Sequence, residues 1–466
     1  MTNLIFNINF NKERIILSTI ARDFANYFIN EFKYEDIPST TIEGIKVLMM
    51  DYLGVALKGT LTETGEITRS YFADKGGRGE ATLFDSNIKV PAESAAFANA
   101  VASHSIELDD IDRLALFHFS PPIYSAAFAI AEKLNVSGKD FITALAAGVE
   151  MMERLSLAMN PSLRNRGFHT TPTLGIFGAT VASALMMKLT EEQIVSAFGL
   201  SGSQVAGMLE MYGESMQKRF NPGPAAHNSI VSVNLAQRGF TGADTIFEGK
   251  RGICRSYSDE VDWSKLKSPK QGDYIFEIEL KPYACARPIH APIDAALGIR
   301  KQILESGKQI RDIKKVDVFR HPAWADYHTN QEPKSYHDAQ VSMCFSVALG
   351  LVTGANFFED YIEAVGNRNQ DVYDISKKVS SICDPEFPNS TGCWAVATLK
   401  DGTEIKVMAT YPKGSIENPM TPEERRYKFN RLTNHKLSEQ QGDQLAEIIN
   451  NLESYNVTDI LDIINK

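Results

Sequence analysis

Cysteine is scarce: Cys254, Cys285, Cys344, Cys383 and Cys393 are the only five in 466 residues, and none forms a CxxC pair. An odd, scattered set excludes a disulfide framework or a zinc ribbon and fits reduced thiols. Positive charge is also short, with 48 Lys and Arg against 58 Asp and Glu and a net charge of −10. That balance implies no basic face for nucleic acid or an anionic membrane, though an acidic protein can hold a locally basic pocket. No run of about 18 apolar residues is present, so no spanning helix is expected. The first residues, "MTNLIFNINFNKERIILSTI", lack the basic start, apolar centre and small-residue cleavage site of a secretory signal, and the chain is read as cytoplasmic.

What is there reads as a soluble globular protein, 43% hydrophobic and 23% charged. At this length, beyond the roughly 250–300 residues at which a single core stops growing, two or more lobes are expected. Helical periodicity dominates from Glu13 to about Ser256. In "SGKDFITALAAGVEMMERLSLAM", Phe141, Leu145, Val149, Met152 and Leu155 recur at three- and four-residue steps behind an N-cap at Ser137. Capping-box spacing marks further helix starts at Thr190 and Gln193, and "STTIEGIKVLMMDYLG" begins a helix after Pro38. The small-residue stripes "GATVASAL" and "SGSQVAGML" are read as helix-packing faces, since no strand precedes them to make a phosphate loop.

The texture changes near Gly272. "DYIFEIELKPYA" alternates, "IKKVDVFRH" is β-branched, and "CWAVATLKDGTEIKVMATYP" is a hairpin about Asp401-Gly402. Helical "HDAQVSMCFSVALGLV" and "FFEDYIEAV" lie between them, and helix returns with Thr421, Pro422 and Glu424, then Ser438 and Gln441. The expected fold class is mainly α: an all-α domain from residues 1–272 and 416–466, with a smaller α+β lid domain inserted at 273–415.

Three clusters carry polar residues that a purely structural bundle would not need. "SHSIELDDIDRLALFHFSPP" places Glu107, Asp109, Asp110 and Asp112 near His104 and His118; on residue types alone, a solvated helix end is the competing reading. The sequence has no HExxH, EF-hand or HxH spacing here, so no metal is expected. "RGFHTTPTLGIFGAT" sets His169 and Thr170, Thr171 and Thr173 at a helix entrance, where free N–H groups favour an anion. "MYGESMQKRFNPGP" brings Lys218 and Arg219 to another entrance, and "ELKPYACARPIHAPIDAAL" adds Lys281, Arg287 and His290. Together they describe a pocket for a multiply negative small molecule where two lobes meet.

Six segments, "MDYLGVALKGT", "AAFANAVASHSIELDD", "LAAGVEMMERL", "GFHTTPTLGIFGAT", "NLAQRGFTGADTIFEGKRGI" and "KPYACARPIHAPIDAA", resemble the MmgE/PrpD family across nearly the whole chain. The resemblance implies a helical domain with a lid, a homodimer, and cofactor-free chemistry on a citrate-like polycarboxylate. Family reactions include 2-methylcitrate dehydration, cis-aconitate decarboxylation and iminodisuccinate epimerisation. The family's "DFDD" element is matched by Glu107 to Asp110 with Glu107 replacing the leading Asp, its following histidine by His118, and its "GFH" histidine by His169. Its two lysines are matched by Lys218 and Lys281, and Tyr327 falls at the spacing of a pocket tyrosine of the decarboxylase branch. Where the family commonly has threonine and "HPS", this chain has Ile111 and "HFSPP", which reshapes the substrate end of the pocket.

All three reactions develop carbanion character beside a carboxylate. The implied roles are His118 as leading acid/base, His169 as anchor or second acid/base, and Asp110 or Glu107 as the orienter of a histidine. Lys218 and Lys281 are carboxylate clamps, lysine being a poor base unless burial lowers its pKa. Arg287, Tyr327 and Thr170 complete the expected substrate-binding set. Dehydration of a 2-methylcitrate-like acid is the first reading; decarboxylation or epimerisation, and a catalytically silent polycarboxylate-binding relative, are the alternatives.

Overall fold

The computed structural model describes residues 18–112, 117–211, 215–270 and 278–465. The N-terminal twenty-residue stretch up to residue 17, and the part of the alternating "DYIFEIELKPYA" run up to residue 277, lie outside the described residues. The protein is mainly helical, with a small mixed sheet in its C-terminal part.

The helix starts are chemically specified. Ser137 accepts from the Asp140 N–H ahead of the helix Gly138–Met159, and Thr190/Gln193, Thr421/Glu424 and Ser438/Gln441 each form a reciprocal capping box. Phe141, Leu145, Val149, Met152 and Leu155 are all fully buried. Burying each contributes roughly 1.5–3 kcal/mol, so one helix face anchors much of this core. That helix crosses Thr170–Met186 with almost no space: a Cβ on Gly148 would lie 2.7 Å from the Gly178 carbonyl oxygen, and one on Gly178 2.6 Å from that of Gly148. The small-residue stripe thus brings backbones together.

Two hydrophobic cores result. One joins Phe24, Leu53, Leu145, Phe177 and Ile230 with Leu445 and Ile460 from the C-terminal helices, so the last helices pack back on the first half of the chain. The other joins Ile293, Ile299, Val316, Leu349, Tyr361 and Ala397. Its sheet runs Val379–Cys383, Ile313–Arg320, Cys393–Leu399, Glu404–Ala409; the first pair is parallel and the others antiparallel. Gly402, at φ 88°, turns the hairpin.

One helical stretch differs from expectation. "HDAQVSMCFSVALGLV" divides into Tyr336–Gln340 and Met343–Thr353, because the Ser342 hydroxyl accepts from the Phe345 N–H at 3.0 Å and starts a new helix. Among the described residues, no helix is long and apolar enough to cross a membrane.

Candidate active site

The helix Ala92–Ser103 ends at His104, and the loop that follows delivers Glu107, Asp109 and Asp110 in four positions. Glu107 lies at φ 57°, a left-handed conformation that non-glycine residues adopt at a cost. His118 stands just ahead of the helix Ser120–Leu134, and His169 is the N-cap residue of Thr170–Met186. Lys218 and Arg219 come from the short helix Gln217–Phe220, and Lys281 from the crossing into the second core. Glu107, Ile111, His118, Arg164, His169 and Lys218 from one side, and Lys281, Arg287, Trp324 and His328 from the other, line one cavity.

The carboxylates have separate tasks. Asp109 Oδ2 accepts from His104 Nδ1 at 2.7 Å and lies 3.0 Å from His118 Nδ1, so Asp109 is the orienting carboxylate. Asp110, expected in that role, instead caps the helix Ser120–Leu134: its carboxylate accepts the Phe119 and Ser120 N–H groups at 2.8 and 3.2 Å and the Ser120 hydroxyl. Only its backbone carbonyl meets the histidine, 2.5 Å from His118 Nδ1. The "HFSPP" departure is thus a helix start held by a distant aspartate. Burial and the neighbouring Asp109 charge push the Asp110 carboxyl up to about 6.

Glu107 touches no histidine side chain through its carboxylate. Oε1 accepts from Lys218 Nζ and, at 2.7 Å, from Arg219 Nη1, while Oε2 lies 3.3 Å from Lys281 Nζ. Burial works against its ionisation, but the three cations hold the carboxyl well below the ordinary glutamate range. Burial, followed by the nearby cations against the pull of Glu107, brings Lys218 down to about 8. The two lysines expected to be open clamps are therefore already engaged.

The ring tautomers follow from hydrogen bonding. His118 Nδ1 faces two acceptors, Asp109 Oδ2 and the Asp110 carbonyl, so it carries the proton and Nε2 offers a lone pair. Asn221 Nδ2 donates to His169 Nδ1 at 3.0 Å, so neutral His169 keeps its proton on Nε2. Burial, reinforced by His104, His118 and Lys218, holds His169 well below the usual histidine pKa and keeps it neutral. His104, behind them, is drawn down to about 4 by burial. His104, Asp109 and His118 bring metal-ligand-type atoms within 4.8 Å of one another. The 2.7 and 3.0 Å separations of the two Nδ1 atoms from Asp109 Oδ2 are those of direct N–H···O bonds, while His104 Nε2 and Asp109 Oδ1 are buried without a hydrogen-bond partner.

The remaining expected residues separate. The threonine hydroxyls are engaged within the protein: Thr173 Oγ1 donates to the His169 carbonyl at 2.7 Å, Thr171 Oγ1 accepts from the His118 N–H at 3.1 Å, and Thr170 Oγ1 donates to Asn160 Oδ1 at 3.4 Å. Arg287 lines the cavity but is tied to Glu279 at 2.8 Å and the Lys413 carbonyl at 3.0 Å, with Nη2 left buried and unpartnered. Tyr327 is 61% exposed and does not line the cavity; its neighbour His328 does, together with Trp324. A residue at φ 64°, His328, turns that loop so that the histidine and not the tyrosine faces inward. Sequence reasoning missed Asp109 as the orienter, Asn221, and Arg164, which lines the cavity near His169 and makes no ion pair among the described residues.

Fold and site together define a class: a mainly helical protein with two hydrophobic cores and a cavity where an imidazole pair lies beside cations gathered around Glu107. Residues 22–266 match the MmgE/PrpD N-terminal domain and residues 283–454 the MmgE/PrpD C-terminal domain, and the chain belongs to the MmgE/PrpD family of lyases. A cis-aconitate decarboxylase-like protein of Aspergillus oryzae is 25% identical over 477 residues, covering 96% of this chain and 97% of that protein. The cis-aconitate decarboxylase of Aspergillus terreus is 24% identical, covering 92% and 93%, and that of Homo sapiens 26% identical, covering 94% and 93%.

Proposed function

We propose that the protein is a lyase that removes CO₂ from an unsaturated polycarboxylate of the cis-aconitate kind, using its own side chains as proton donor and electrostatic clamp. The carrying observation is the opposite polarity of two imidazoles on one cavity: His118 presents an open Nε2 backed by Asp109, and neutral His169 presents an Nε2–H backed by Asn221. The names of the relatives support decarboxylation better than the dehydration that the sequence puts first.

In this reading the bond between carbon and the departing carboxylate breaks, and its electron pair spreads into the double bond and a neighbouring carboxylate. His169 Nε2–H hydrogen-bonds that growing negative charge without giving up its proton, as a neutral imidazole does. The open Nε2 of His118 takes up a proton from solvent, the resulting imidazolium is stabilised by Asp109, and that proton is delivered to carbon, which returns His118 to its neutral form. No added cofactor is required, and the homodimer implied by the family resemblance belongs to the proposal; light scattering that gives a monomer would remove it.

The test is incubation with cis-aconitate, glutaconate, 2-methylcitrate, citrate and iminodisuccinate in deuterated water, followed by NMR. CO₂ release with one deuterium delivered to carbon is expected. Water loss or epimerisation supports the corresponding alternative, and binding without turnover supports the silent relative.

A further inference from the structure

His104 lies behind the cavity and takes no part in the proton transfer described above. Its ring is fully buried and does not line the cavity. The ring centroid is 4.8 Å from that of His118 and 6.2 Å from that of His169, so it backs both cavity imidazoles. The backbone is fixed at the C-cap of Ala92–Ser103, where the His104 N–H donates to the Val101 carbonyl at 3.2 Å. Nδ1 donates to Asp109 Oδ2 at 2.7 Å, and Nε2 is buried without a hydrogen-bond partner. The Asp109 carboxylate is thus held by two imidazole N–H groups that meet on one oxygen, its Oδ1 having no partner. One of the two belongs to His118, the ring that Asp109 has to orient. A carboxylate whose polar contacts were all to that ring could turn together with it, so the bond from His104 is the one that ties Asp109 to the helical scaffold.

We propose that His104 is a positioning residue for the chemistry of His118: a neutral donor that pins the Asp109 carboxylate against His118 Nδ1 while leaving its negative charge uncancelled. The assignment rests on the acid/base role given to His118 above and extends it. A lysine or arginine in this place would hold the same oxygen but offset the charge that stabilises the His118 imidazolium. Burial draws His104 down to about 4 despite the attraction of Asp109, and Nε2 has no acceptor to stabilise a second proton. The positive charge taken up during turnover therefore settles on His118, which lines the cavity, and not on the ring behind it.

The kinetics of CO₂ release from cis-aconitate test this, or those of product formation from whichever acid of the panel above wild type converts. His104→Phe, which keeps a ring and removes the N–H, is expected to lower kcat at least about tenfold with KM changed less than about threefold. In His104→Asn the amide Nδ2–H stands where Nδ1–H stood, and most of that loss is expected to return. Because His104 acts through Asp109, adding His104→Phe to Asp109→Asn is expected to cost less than about twofold more. Glutarate, an unreactive dicarboxylate, is expected to bind each folded variant within about threefold of wild type by calorimetry. If His104→Phe does not fold, His104→Gln, whose amide reaches the Nε2 position and not Asp109, takes its place with the same expectations. A folded variant with wild-type kcat, losses that multiply in the double variant, or a fall in glutarate affinity matching the fall in kcat overturns the His104 assignment alone. Conversion of an acid other than cis-aconitate overturns decarboxylation, and the His104 comparison is then decided on that acid; a wild type that converts none overturns both.

Discussion

His118 Nδ1 lies 3.0 Å from Asp109 Oδ2, and the same oxygen accepts from His104 Nδ1 at 2.7 Å. One buried carboxylate oxygen thus serves two imidazoles, and only His118 of the two lines the cavity. Asp109 fixes the His118 tautomer and stabilises the imidazolium when it forms. Asp109→Asn removes the charge while keeping the shape. It is expected to lower kcat by about 10²–10⁴-fold with little change in KM. Steady-state kinetics together with glutarate binding checks this; a kcat near wild type in the folded variant would take Asp109 out of the chemistry.

Lys218 supplies a pH signature. Burial holds its folded pKa at about 8, below the roughly 10.4 of an exposed lysine. As pH rises through 8 the ammonium is lost and kcat/KM is expected to fall. In Lys218→Arg, whose guanidinium stays charged, that alkaline limb is expected to vanish. Linkage separates this from unfolding: between pH 8 and 10 the unfolded chain binds more protons at this site than the folded one, so this group makes stability rise with pH. A limb that persists in Lys218→Arg, or that tracks a falling Tm, would assign it elsewhere.

Helix starts were legible because capping is local chemistry: Thr190, Thr421 and Ser438 each carry their partner three residues on. The hairpin about Gly402 was legible for the same reason. Strand Val379–Cys383 was not, because it is a short edge strand whose order comes from parallel pairing with Ile313–Arg320, far away in sequence. At the site, residue types and neighbourhoods could be read, and His118, His169, Glu107, Lys218 and Lys281 do converge on one cavity. Partner choice could not. Asp109 and Asp110 are adjacent in sequence, yet chain direction alone sends one carboxylate to two histidines and the other to a helix N-terminus.

Arg164 and Arg287 line the same cavity and should fail differently. Arg164 has no ion-pair partner among the described residues, so Arg164→Gln is expected to leave the fold intact and to raise KM about tenfold or more, with a smaller change in kcat. Arg287 is 2.8 Å from buried Glu279, so Arg287→Ala strands a carboxylate and is expected to lower Tm first. Kinetics and thermal melts of both variants decide; an unchanged KM in Arg164→Gln would remove it from substrate binding.

Lys428 ties stability to the site from the far end of the chain. Its Nζ is 2.5 Å from Asp51 Oδ1 and donates to the Leu108 carbonyl at 2.8 Å, between Glu107 and Asp109 in the loop after the helix Ala92–Ser103. Asp51 and Lys428 are both buried, and burial raises the Asp51 carboxyl despite the attraction of Lys428. Lys428→Met is therefore expected to cost about 3–5 kcal/mol of stability, because it leaves that carboxylate without its cation. Replacing both partners, as Asp51→Leu with Lys428→Met, removes the stranded charge and is expected to recover most of the loss. The double variant still lacks the hydrogen bond to Leu108, so its Tm should return while kcat stays depressed, the loop no longer held at the register that aims Asp109 at His118. Recovery of kcat in step with Tm would reduce Lys428 to one half of an ion pair.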